Sequence, residues 1–96
     1  MPFAKVKVSS LVTKQIQSWA LPDRTQVELY QFLTRILPAD PEYNLQREAD
    51  GLVAECVRRD TSVKDRDHYF RFRVLFGQDE ETLLIFRGDY LIIQHD

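Results

Sequence analysis

Apolar residues alternate with lysine or alanine over residues 3–8, Phe-Ala-Lys-Val-Lys-Val, the pattern of a half-buried strand. Ser9 and Ser10 follow, and a serine hydroxyl there can accept from the free N–H groups of a first helical turn. Leu11, Val12, Ile16 and Trp19 then recur at near-helical spacing and predict a short helix over 10–20. Leu21-Pro22 ends it, because proline disfavours helix in the residue before it. A second helix opens at Pro22 or Asp23, with capping-box spacing in Thr25/Glu28 and in Asp23/Gln26. Val27, Tyr30, Leu33, Ile36 and Leu37 form its apolar stripe, widened by Leu29 and Phe32, and it is expected to end before Pro38. A tight Leu-Pro-Asp turn between the two helices makes an αα-hairpin.

Residues 38–51 read as a loop by composition. A strand follows over 52–59, then a polar, mobile connection over 60–67. Residues 68–76 are the strongest strand in the chain, 77–80 a turn, and 82–87 a further strand. Gly88-Asp89 admits two readings: a hairpin turn with 90–94 returning as a last strand, or one bent strand running through. The hairpin is the preferred expectation. The fold class is then α+β, in one domain over 1–96. Its order is β-α-α-β-β-β with a further C-terminal strand, and the two N-terminal helices pack on one face of an antiparallel sheet.

Period-two reading sorts the central strand. His68, Phe70, Phe72, Val74 and Phe76 point toward the helices, and Tyr69, Arg71, Arg73 and Leu75 point away. Leu52, Ala54 and Cys56 share the helix side, while Val53, Glu55, Val57 and Arg59 share the other. Arg87 ends the strand 82–87 beside Leu83 and Ile85, and is a further candidate for the helix-free face. That face mixes arginines with Glu55, Tyr69 and apolar residues. It reads either as an ordinary solvated surface with cross-strand ion pairs or as a grip for phosphates or a partner's carboxylates, for which the planar guanidinium fork is suited.

Composition narrows the function classes. In 96 residues, Lys plus Arg is 13 and Asp plus Glu is 15, a formal net charge of −2. No overall basic excess announces a nucleic-acid binder, although clustering matters more than the sum. A single cysteine, Cys56, excludes an intrachain disulfide and fits a reducing compartment. Its apolar neighbours on the core face mark it as a buried, inert thiol. With no signal-like start and no apolar run long enough to cross a membrane, a cytoplasmic protein is expected. Cys56, His68 and His95 lack metal-ligand spacing, and the dispersed Gly51, Gly77 and Gly88 form no phosphate loop, so neither metal nor cofactor is expected.

Several stretches resemble the RelE/ParE superfamily of bacterial toxins. They are Val6-Lys7-Val8-Ser9 entering a helix, Trp19 to Pro22, Leu37-Pro38, Asp50-Gly51-Leu52, Arg73-Val74-Leu75-Phe76, and Asp79-Glu80-Glu81-Thr82-Leu83-Leu84-Ile85. The resemblance implies a toxin paired with a cognate antitoxin. In RelE-like members the arginine matched by Arg73 holds the scissile phosphate of messenger RNA on the ribosome, and the ribose 2′-hydroxyl attacks that phosphate. Such a mRNA endoribonuclease would use Arg73 with Arg71 and Arg87, and His95 as a candidate base. The chain also departs from the family. The strand that usually carries lysines reads Val53-Ala54-Glu55-Cys56-Val57, and the last strand leads into Gly88-Asp89-Tyr90 rather than a catalytic Arg, His or Tyr. The alternative is a non-enzymatic protein-binding module, either a degenerate toxin or a gyrase-type inhibitor. Positive potential around Arg71, Arg73 and Arg87 favours RNA, whereas neutralisation by Glu55, Asp65, Asp67 and Asp89 favours the module.

Overall fold

The computed structural model describes residues 5–60, 62–79 and 81–95. Strand β1 (Lys5–Val8) leads into helix α1 (Ser10–Ser18). Ser9 caps α1 as expected, its hydroxyl accepting from the Val12 N–H. Phe3 and Ala4, expected at the start of β1, lie outside the described residues. Helix α2 (Asp23–Gln31) begins after Pro22 without a side-chain cap, so neither expected capping box forms. Glu28 instead pairs with Arg24 at 3.1 Å and Arg58 at 3.5 Å.

The second helix does not stop before Pro38. It widens into a π turn (Phe32–Ile36), where the Leu37 N–H reaches the Phe32 carbonyl, and continues through Leu37–Ala39. Proline in a regular helix has no N–H to donate, and its ring strikes the carbonyl four residues back. The wider turn just before Pro38 moves that carbonyl aside, so the chain carries the proline without breaking.

The stretch expected as loop is also structured. It holds a one-turn helix α3 (Pro41–Asn44), capped by Asp40, and an edge strand β2 (Leu45–Glu48). The Glu48–Gly51 pair closes a two-residue turn into β3 (Gly51–Arg59), and Gly51, the first residue after it, takes a positive φ of 122°, open to glycine without strain. Strands β4 (Arg66–Phe76) and β5 (Thr82–Gln94) complete a sheet of order β1-β5-β4-β3-β2. The expected α+β class, with helices on one face, holds. The sheet is mixed rather than wholly antiparallel, because β1 pairs parallel with β5.

Residues 90–94 are strand, as expected, but they continue β5 instead of returning as a hairpin. Gly88 makes a close approach, not a turn. A Cβ there would sit 2.8 Å from the Phe72 ring and 3.1 Å from Trp19. The Gly88 N–H is satisfied from α1 by the Gln15 side chain at 2.9 Å.

The core lies where the helices meet the sheet. Val12, Ile16, Leu29, Leu33 and Leu37 pack against Ala54, Phe70, Phe72, Val74, Leu83 and Ile85. Trp19 packs with Phe70, Phe72 and Tyr90, so it is a packing residue and not a free stacking platform. Phe76, expected toward the core, is 49% exposed near the strand end. No helix among the described residues is long and apolar enough to cross a membrane.

Gly88→Ala is expected to destabilise the fold by about 1–3 kcal/mol, the usual cost of overpacking a filled core. Urea unfolding of the two proteins checks this.

Candidate functional site

The helix-free face is built from three strands. Arg71 and Arg73 project from β4, and the register sets Val53 and Arg87 on either side of Arg73, and Glu55 and Asp89 on either side of Arg71. Arg87 reaches this face through a bulge. Arg73 pairs with Arg87 but Val74 pairs with Ile85, so Phe86 is an extra residue and the alternation of β5 inverts there. Without it, Arg87 would share the side of Leu83 and Ile85, where simple alternation along the sequence puts it.

Two of the acids on this face, Glu48 and Asp50, come from β2 and its turn. Arg71 is bonded to Glu48 and lies 3.8 Å from Glu55. Arg73 has Asp50 at 3.7 Å, a loose contact to a side chain 78% exposed. Arg87 makes no ion pair among the described residues, and neither does Asp89. Partial burial pulls the Arg71 guanidinium down, but Glu48 and Tyr69 together outweigh it and the net shift is upward. Burial and the adjacent Glu55 carboxylate hold the Tyr69 phenol above its ordinary value. Beside the charged cluster runs an apolar row, Val57, Tyr69 and Leu91, opposite one another across β3, β4 and β5. Val57 and Leu91 are both well exposed.

The structure therefore brings Arg71, Arg73 and Arg87 together. His95 is placed elsewhere. Its Nε2 sits 2.8 Å from Asp67 and its backbone N–H donates to the Asp65 carbonyl. Asp67 is about 20 Å along β4 from Arg73 at the rise of a strand.

His68, Tyr90 and Cys56 all lie on the helix side. Cys56 is buried, and desolvation raises its thiol. His68 is buried and shares a 2.5 Å hydrogen bond through Nδ1 with the Tyr90 hydroxyl. Its Nε2 is 3.1 Å from Asp60 Oδ2, too poorly aligned to count as a hydrogen bond.

Asp60 anchors the segment expected to be a mobile connection; Thr61 in that segment lies outside the described residues. Its Oδ1 accepts from the Ser62 hydroxyl and from the Ser62 and Val63 N–H groups, and its Oδ2 takes both Nε and Nη2 of Arg66. The Asp-x-Ser spacing of an Asx turn was the available signal for it. Glu48 and Asp50 were missed because their segment lacks apolar alternation. The Asp50-Gly51 dipeptide was the trace of the hairpin. Among the described residues, no group of three His, Cys, Asp or Glu is placed to hold a metal ion.

The Ser62 hydrogen bonds, followed by Arg66, hold the Asp60 carboxyl well below the usual carboxylate range. A depressed folded-state pKa means that the stabilisation is complete above the unfolded value, near pH 4, and is lost as pH falls toward the depressed one. Urea midpoints of the native chain should therefore drop steeply between about pH 4 and 2. Asp60→Asn should be less stable at neutral pH and flatter across that window.

In comparison with known proteins, no family model and no curated protein matches the chain. Among solved structures it resembles a chain of the toxin–antitoxin complex RelBE2 from Mycobacterium tuberculosis. The likeness has a TM-score of 0.61 at 19% identity and covers 95% of this chain and 100% of that one. At that identity it is the fold that is shared.

Proposed function

We propose that this chain is the toxin component of a cytoplasmic toxin–antitoxin pair and that its helix-free sheet face is the working surface. The observation that carries this reading is the direct cross-strand pairing of Arg73 with Arg87. Two like charges opposite each other destabilise a sheet unless an anion is shared between them. Among the described residues, only the loose, exposed Asp50 contact offsets this pair, so a phosphate or carboxylate entering from solvent gains two guanidinium forks at little cost. The shared fold and the sequence resemblance to RelE-like toxins make the RNA backbone the first candidate for that anion, on the ribosome, with the antitoxin as the protein that covers the face.

In the ribonuclease reading, Arg73 and Arg87 neutralise the phosphorane oxygens and Arg71 orders the site. Glu55, 3.8 Å from Arg71, is the proposed acceptor of the 2′-hydroxyl proton. His95 has no part in it at its distance.

A second reading rests on a separate observation. Arg71 is already engaged by Glu48 and Glu55, and the exposed Val57–Tyr69–Leu91 row lies beside it. Paired charges next to an apolar strip suit a protein partner, so this reading is a binding module without catalysis.

Induced expression of the chain in a bacterial culture, with pulse labelling of protein and DNA synthesis, separates the two. The ribonuclease reading expects translation to fail first. It also expects Arg73→Ala and Arg87→Ala each to lower mRNA cleavage by about 100-fold or more, with urea stability within about 0.5 kcal/mol of the parent. Arrest that persists undiminished in both variants removes the arginine pair from the mechanism. Early failure of DNA synthesis favours a gyrase-type target.

A further inference from the structure

Strand β1 covers only part of the outer side of β5. It pairs with Thr82–Ile85, and no strand among the described residues lies beyond that point. The Gly88 N–H faces this open side, where Gln15 takes it. By strand alternation the backbone N–H and C=O groups of Tyr90, Ile92 and Gln94 face the same way. The segment is Gly-Asp-Tyr-Leu-Ile-Ile-Gln-His, with Leu91 58% and Ile92 46% exposed. Soluble proteins blunt such edges with lysine, proline or a covering element, and the residues 90–94 carry none of the first two.

We propose that this edge pairs with the same edge of a second copy, antiparallel and centred on Ile92, so that the two sheets join across a twofold axis. The pattern is self-complementary in that register. Ile92 faces Ile92 of the other copy, and Leu91 faces Ile93. Tyr90 faces Gln94, and Asp89 faces His95. Asp89, which has no ion pair of its own among the described residues, thereby meets the His95 imidazole, whose Nε2 lies 2.8 Å from Asp67. The outward backbone groups of residues 90, 92 and 94 on both strands supply about six ladder hydrogen bonds. Leu91 and Ile93 of both copies, which share the helix-free side of β5, form one apolar strip there. An isologous contact of this kind closes on itself and gives a dimer, not a filament. This assembly borders the arginine surface, sharing Asp89 and Leu91 with its rim, and holds whether or not that surface cuts RNA.

Sedimentation or light scattering of the purified chain, read across concentration, tests it. A mass twice the 11.4 kDa of the chain is expected. Ile92→Pro, which removes an outward-facing N–H that the fold does not use, and Leu91→Lys should each give a monomer with an unchanged circular dichroism spectrum. Ile92→Cys should form an intermolecular disulfide on mild oxidation, since hydrogen-bonded antiparallel partners lie about 5.5 Å apart at Cα, within disulfide reach. Leu91→Cys, out of step with its own copy, should cross-link far more slowly. A monomer at every concentration overturns the proposal. So does a dimer that survives Ile92→Pro and gives no preferential Ile92→Cys cross-link.

Discussion

The seating of Trp19 and Phe72 against Gly88 holds α1 onto the sheet, and the functional geometry depends on it. Only a residue without a side chain leaves room there, with a would-be Cβ 2.8 Å from Phe72. Gln15 closes the same contact by accepting the Gly88 N–H. Through this seat, Val12 and Ile16 of α1 are buried against the sheet together with Phe70 and Phe72. The buried side of β4 is therefore the aromatic one. Because strand residues alternate, Arg71 and Arg73 are committed to the opposite face.

The second constraint is the bulge at Phe86. It reverses the alternation of β5 midway, so that Leu83 and Ile85 before it, and Gly88 and Tyr90 after it, all serve the helix side. Arg87 moves to the open face as a consequence. One extra residue thus keeps a long strand packed at both ends and delivers a third arginine beside the two on β4. The β2–β3 turn acts in the other direction, bringing Glu48 and Asp50 to the same face. The face is neither uniformly basic nor neutral: Arg71 is engaged by Glu48 and Glu55, Arg73 has only a loose contact with Asp50, and Arg87 makes no ion pair among the described residues.

Much of the fold was legible in the alternation of residues. The strands over 52–59 and 68–76, the Ser9 cap and the aromatic core face all follow from period two and period 3.6, and those periods are strong where a face is half buried. What was not legible depends on contacts distant in sequence. Gly88-Asp89 carries turn chemistry, yet Trp19, far away in the chain, makes it a packing position. Pro38 carries a stop signal, yet a π turn absorbs it. Residues 45–48 carry no apolar alternation because β2 is an edge strand with two exposed charged or polar residues, Gln46 and Arg47, at its centre. For the site, the sequence pointed to Arg71, Arg73 and Arg87. Glu55 was legible as a cross-strand partner; Glu48 and Asp50, and the distance of His95 from the arginines, required the register.

The proposed role of the helix-free face is that its paired arginines, Arg73 and Arg87, receive an anionic partner. The most direct measurement is a titration of the isotopically labelled chain with a short single-stranded RNA, following backbone and arginine side-chain resonances at two salt concentrations. Perturbations are expected to concentrate at Arg73, Arg87 and their neighbours Glu55 and Arg71 and to weaken as salt rises. Perturbations confined to the helix side, or none at low salt, would contradict it.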